Sequence, residues 1–138
     1  MEVYTELIAV LVGGILSIVT TWYFNKNQEE KIIRHNAAML YYDLLSILKY
    51  FNTEYDGNEI YPEIRYNTEW QNTLNNLYGI KNDQILTVYN IYDTIFDYNA
   101  ILGQEKNKQD YRRKIENQLK DKNFLDLLQF LKKQAKIN

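Results

Sequence analysis

Residues 7–24, LIAVLVGGILSIVTTWYF, form a run of about 18 residues with neither a charge nor a proline. At about 1.5 Å per residue, a helix of that length covers roughly 27 Å, close to the hydrocarbon thickness of a bilayer. Ten of its residues are Leu, Ile, Val or Phe. Each favours insertion near a helix centre by about 0.3–0.6 kcal/mol, or about 3–6 kcal/mol together. Gly13, Gly14, Ser17, Thr20 and Thr21 lower that sum without reversing it. Tyr4 precedes the run and Trp22 and Tyr23 close it, as expected of an interfacial belt in which amphipathic rings settle among the headgroups. A buried core helix of a soluble domain is disfavoured because no polar face runs along the segment.

The flanking charges predict an orientation. MEVYTE carries Glu2 and Glu6 and no base, whereas Lys26, Lys31 and Arg34 follow the run. A cleaved signal peptide would show the reverse, with bases before the apolar core and a small-residue cleavage site after it. The positive-inside rule places a short tail, residues 1–6, outside the membrane and residues 25–138 in the cytoplasm of the cell. Within the run, Ala9, Gly13, Ser17 and Thr21 recur at every fourth position. They make a stripe along which helix backbones can approach closely in lipid. Self-association is the simplest expectation for it.

The roughly 114 residues after the run suffice for one small domain. With no cysteine, the chain has neither disulfides nor thiolate metal ligands. Charge is segregated: residues 43–99 hold nine acids and three bases, and residues 103–138 ten bases and five acids. Blocks of opposite sign attract each other within one fold or attract outside partners. Within this region the single proline, Pro62, and Gly57, Gly79 and Gly103 punctuate the helical periodicity. The spacing predicts four helices, at about 28–55, 64–78, 83–102 and 109–136.

Ile33, Ala37, Leu40, Leu44, Ile47 and Phe51 make a seam at alternating spacings of four and three. Such a seam suits a coiled coil or bundle, and Tyr41, Leu45 and Leu48 widen it towards a bundle core. Tyr66, Trp70, Leu74 and Leu77 are core candidates of the second helix. In the third, Ile85, Val88, Tyr92, Ile95 and Leu102 share a face, with Leu86, Tyr89 and Phe96 beside it and Asp83 as cap. Tyr111, Ile115, Leu119, Phe124, Leu127, Leu128, Leu131 and Ala135 line the fourth, which has a potential break at 121–123. The DGNEIYP stretch at 56–62 reads as a turn. The expected fold class is all-α, a single N-terminal transmembrane helix followed by a small cytoplasmic helical bundle.

Chemistry-bearing residues are scarce. There is no Cys, one His and two serines, Ser17 and Ser46, so no nucleophile has a base at recognisable spacing and no catalytic residue is expected. His35 reads as a solvated side chain. No phosphate-binding glycine loop exists. Asp93 and Asp97 share a helix face, but bundle metal sites gather several Glu residues and Glu-x-x-His pairs, so neither a metal nor another cofactor is expected. Lys106, Lys108, Arg112, Arg113 and Lys114 cluster in the basic segment. Pairing with the acidic middle region is the first expectation for them, and contact with anionic lipid the second. Stacking aromatics and a nucleic-acid motif are missing, so nucleic acid is not an expected partner. The sequence thus points to a non-enzymatic, single-pass membrane protein. Its expected partners are the lipid bilayer and another protein or a second copy of itself, with no small-molecule substrate. A membrane-perturbing oligomeric effector, of holin-like or host-defence type, is the alternative.

Overall fold

The computed structural model describes residues 2–52, 62–102 and 105–138, and within these the side chains of all but 105–107. Every regular element among the described residues is an α-helix. In chain order these are α1 (Glu2–Asn52), α2 (Trp70–Asn75), α3 (Asn82–Ala100), α4 (Glu105–Lys120) and α5 (Lys122–Ala135). Contacts divide the chain into two compact units, Met1–Ile32 and Ile33–Asn138. Helix α1 contributes to both, so residues 25–28 do not interrupt it.

The first unit is a stretch of helix whose described side chains are all exposed. It is long and apolar enough to cross a membrane, and none of its most apolar 18-residue window is buried. The hydroxyls of Thr5 and Thr20 donate to the carbonyls of Glu2 and Leu16, at 2.8 and 2.7 Å. These threonines therefore satisfy their hydroxyl donors within their own helix.

The second unit encloses one apolar core. From α1 it takes Ala37, Leu40, Leu44, Ile47 and Phe51, all on the seam read from the spacing. Ile64, Trp70 and Leu74 close one side, and Ile115, Leu119, Phe124, Leu127, Leu131 and Ala135 come from α4 and α5. Helix α3 packs against α4 and α5, which also pack on each other. Asp43 meets Tyr92, and Tyr50 meets Tyr98. Residue numbers rise together in these two contacts, so α1 and α3 run in the same direction.

The second and third helices depart from the periodic reading, and the fourth segment breaks at the expected position. The second helix is only Trp70–Asn75, because residues 62–67 have their backbone groups bound by side chains of α1 and α3. Helix α3 begins at Asn82 with Lys81 as its cap. Gln84 reaches back to accept from the Lys81 amide at 3.1 Å, and Asp83 accepts from the Gln84 amide at 3.0 Å. Its buried face also includes Ile91, Thr94 and Tyr98, while Leu86 and Phe96 are turned outward at 60% and 63% exposure. The periodic pattern near 109–136 does break: α4 ends at Lys120, and Asp121 caps α5 by accepting from the Asn123 amide at 2.8 Å. The turn expected at 56–62 and the end of the helix expected at 28–55 fall largely outside the described residues.

Candidate functional site

The densest polar constellation lies where α1, α3 and residues 62–67 meet. Asp43 follows Tyr42 and precedes the buried Leu44, so it leaves α1 at the margin of the core. One carboxylate oxygen accepts from the Tyr92 hydroxyl at 2.5 Å, and the Asn67 amide lies 3.0 and 3.1 Å from the two oxygens. Hydrogen bonds to an ionised acceptor are short and roughly twice as strong as neutral ones. The Tyr92 ring is stacked on Trp70, with centroids 4.7 Å apart and planes 6° from parallel, and Trp70 meets Tyr89 edge-on at 4.8 Å.

Burial, and then the Asp43 charge and hydrogen bond, push the Tyr92 hydroxyl well above the usual tyrosine range. Both effects penalise the phenolate. Tyr92 is thereby fixed as a neutral donor, the opposite of what a nucleophile or general base needs. The constellation is suited to holding a segment in place.

Two further contacts serve the same segment. The Asn99 side chain accepts from the Ile64 amide and donates to the Ile64 carbonyl, both at 2.9 Å. The Tyr50 hydroxyl donates to the Pro62 carbonyl at 2.7 Å and lies 3.3 Å from the Tyr98 hydroxyl. An irregular backbone beside a core must have its amides and carbonyls satisfied, and here side chains do so. Residues 62–67 thus form a strap pinned at Pro62, Ile64 and Asn67.

A shallow cavity of about 180 Å³ lies between α3 and the α4–α5 junction, with Asp83, Thr87, Asn90, Gln118, Asp121 and Asn123 among its lining residues. Asp83 and Asp121 both accept from backbone amides there. The Gln118 side-chain amide donates to the Thr94 hydroxyl at 3.2 Å. Among the described residues, no three His, Cys, Asp or Glu side chains converge as a metal-binding group. Asp93, Asp97 and His35 are exposed, and the Ser46 hydroxyl donates to the Asp43 carbonyl at 2.8 Å.

The residues singled out from the sequence are distributed as follows. Ala9, Gly13, Ser17 and Thr21 are all exposed on α1, and a Cβ added at Gly13 would meet nothing within 4 Å. Tyr4, Trp22 and Tyr23 are exposed, with the Lys26 ammonium 5.1 Å from the Trp22 ring centroid. The basic segment does not present one face. Arg112 turns inward, 5.5 Å from the Phe51 ring centroid, and its Nε lies 3.1 Å from Glu116, four residues on. Lys108 is half-buried, Arg113 and Lys114 are exposed, and the Lys106 side chain lies outside the described residues. The sequence reading missed Asp43 and Asn99, whose only signal was a polar side chain flanking an apolar seam.

No family model, curated protein or solved structure matches the chain.

Proposed function

We propose that this chain is a non-enzymatic, single-pass membrane protein whose helical unit acts by binding a protein partner or a second copy of itself. One observation carries the reading. An apolar helix with no buried residue in its most apolar window belongs to the same chain as a closed core. A core helix of a soluble domain has its apolar surface covered by the rest of the domain, whereas an uncovered apolar rod needs lipid as its solvent. The basic residues after the run support a cytoplasmic position for residues 25–138, with residues 1–6 outside. We read residues 33–138 as a small bundle in which the polar constellation holds the strap rather than reacting. The Ala9–Thr21 stripe supplies the surface for self-association.

Membrane fractions washed with alkaline carbonate test the anchor. Retention in the pellet is the expected result, and release of the intact chain would end this reading. Protease added to intact cells should leave residues 25–138 undigested, and their digestion reverses the orientation. Gly13→Ile should weaken cross-linked oligomers, while an unchanged pattern removes the stripe from the proposal. Controlled expression should leave the membrane potential intact, and its collapse favours the membrane-perturbing alternative.

A further inference from the structure

We infer that the basic end of α5, Lys132, Lys133 and Lys136 beside Arg34, is a surface for anionic phospholipid headgroups. This rests on the anchoring reading above and replaces the α4 residues as the lipid-facing bases. The three lysines occupy the last turn and the C-cap of α5, and all are exposed. Leu131 and Ala135 of the same turns are buried, so the helix is held by one face and offers its bases from another. Its end is tied twice. Arg34 Nε donates to the Ala135 carbonyl at 3.1 Å, and the Gln134 side-chain amide donates to the Tyr78 carbonyl at 3.1 Å. The first tie joins the lysines to a point on α1 only ten residues after Phe24.

The bases at this end are not interspersed with acids, although Glu29 and Glu30 precede Arg34 on α1 and Asp126 precedes the lysines on α5. Residues 33–42 and 127–138 contain four Lys or Arg, one His and no acid. The α4 cluster differs on each count. Asp110 and Glu116 are interspersed with its bases, Arg112 is committed to Glu116, and Arg112 rests on Phe51, which lies 27 residues after Phe24 in the chain. Attraction to an anionic leaflet fades within a Debye length, about 10 Å at 0.1 M salt. Within that range each lysine changes the partition between apposed and free states by about fivefold. Lysines at a helix C-terminus also favour its exposed carbonyls. That effect is indifferent to lipid composition, which separates the two roles.

The chain has no cysteine, so single probes can be placed at Gln129→Cys on α5 and Asn117→Cys on α4, both exposed positions. The full chain is reconstituted into phosphatidylcholine vesicles with or without phosphatidylglycerol, with a headgroup-labelled quenching lipid. Quenching at position 129 should rise several-fold with the anionic lipid and fall with added salt, while position 117 stays unchanged. Replacing Lys132, Lys133 and Lys136 by Gln should abolish the rise, by about fivefold per lysine, while any loss of helix stability from the vacated C-terminus should be the same with and without the anionic lipid. Equal quenching at both positions, or a rise at 117 alone, overturns the surface. Carbonate washing of the same vesicles distinguishes the two failures. A retained chain with no response at 129 overturns the surface only, and a released chain overturns the anchor and the surface together.

Discussion

Residues 7–24 and 33–51 lie on the same helix, α1, and both are rich in apolar side chains, yet they meet opposite fates. In the first stretch Leu7, Leu11 and Ile15 are about 60% exposed, whereas in the second Ala37, Leu40, Leu44 and Ile47 are fully buried. Periodicity makes the difference. The second stretch confines its buried side chains to one stripe and turns Met39, Tyr42 and Lys49 outward. A stripe can be covered by neighbouring helices of its own chain. The first stretch is apolar on every side, so no single neighbour can cover it, and an apolar solvent can.

The sharpest way to break this contrast is one substitution made in both units. Phe124 is fully buried and Phe24 is 60% exposed. Phe124→Ala should destabilise the helical unit by about 3–5 kcal/mol, the loss typical of emptying a core aromatic site. Phe24→Ala should leave that unfolding transition within about 0.5 kcal/mol of the parent. Chemical denaturation in detergent, followed by near-ultraviolet circular dichroism, measures both. Equal effects would mean that Phe24 is packed by the chain, which removes the contrast.

A second effect, of the same order as the one that follows it, tests the strap. Asn99→Ala removes both bonds to the Ile64 backbone, leaving a part-buried amide and carbonyl to find other partners. A loss of about 1–3 kcal/mol is expected. Cleavage of the folded protein near residues 62–67 by a non-specific protease should also become faster. Unchanged stability and cleavage would show that Asn99 does not hold the strap.

Tyr92 gives a pH signature with a definite sign. Its folded-state value lies above the usual tyrosine value. Below about pH 10 the hydroxyl is neutral in both the folded and unfolded states, so its contribution is fully present. As pH rises past that point, the unfolded chain loses the proton first and stability falls, by about 1.4 kcal/mol per pH unit from this one group. Tyr92→Phe should remove that share of the alkaline slope. It should also cost about 1.5–3 kcal/mol at neutral pH, because a hydrogen bond to a charged acceptor is lost. Parallel alkaline slopes in the two proteins would deny Tyr92 this role.

These residues also show where sequence reading reaches its limit. The α1 seam was legible because its spacing of three and four repeats over five turns, and one face, buried from Ala37 to Phe51 with Ile33 half-buried at its start, accounts for it. The membrane candidate was legible because length and the absence of charge suffice to define it. On α3 the pattern misleads, since apolar residues lie nearly all round it. Leu86 and Phe96 are exposed, while Gln84 and Thr94 are buried beside Ile91 and Tyr98. Only the placement of the neighbouring helices selects the face. The strap was illegible for another reason: its hydrogen bonds join residues 24 and 35 positions apart, and a residue 67 that turns out to need Asp43 carries no local mark. Arg112 was read as one base in a cluster, but its place over Phe51 depends on how α4 docks.

The smallest predicted effect concerns the end of α5, where stability and the proposed lipid contact part company. Lys136 adopts the left-handed conformation with φ 53°, and the amides of Lys136 and Ile137 donate to the carbonyls of Lys133 and Lys132 at 3.1 and 3.2 Å. Helices commonly end on such a residue, usually glycine, because a Cβ is strained there. Lys136→Gly should therefore raise the stability of the helical unit by up to about 1 kcal/mol, partly offset by the greater freedom of glycine in the unfolded chain. The same change removes one of the four bases at this surface, so apposition to anionic vesicles should weaken as stability improves. A lysine kept there only to end the helix would show the gain without the loss. Its presence at a position that favours glycine is then explained by charge, provided the two measurements move in opposite directions.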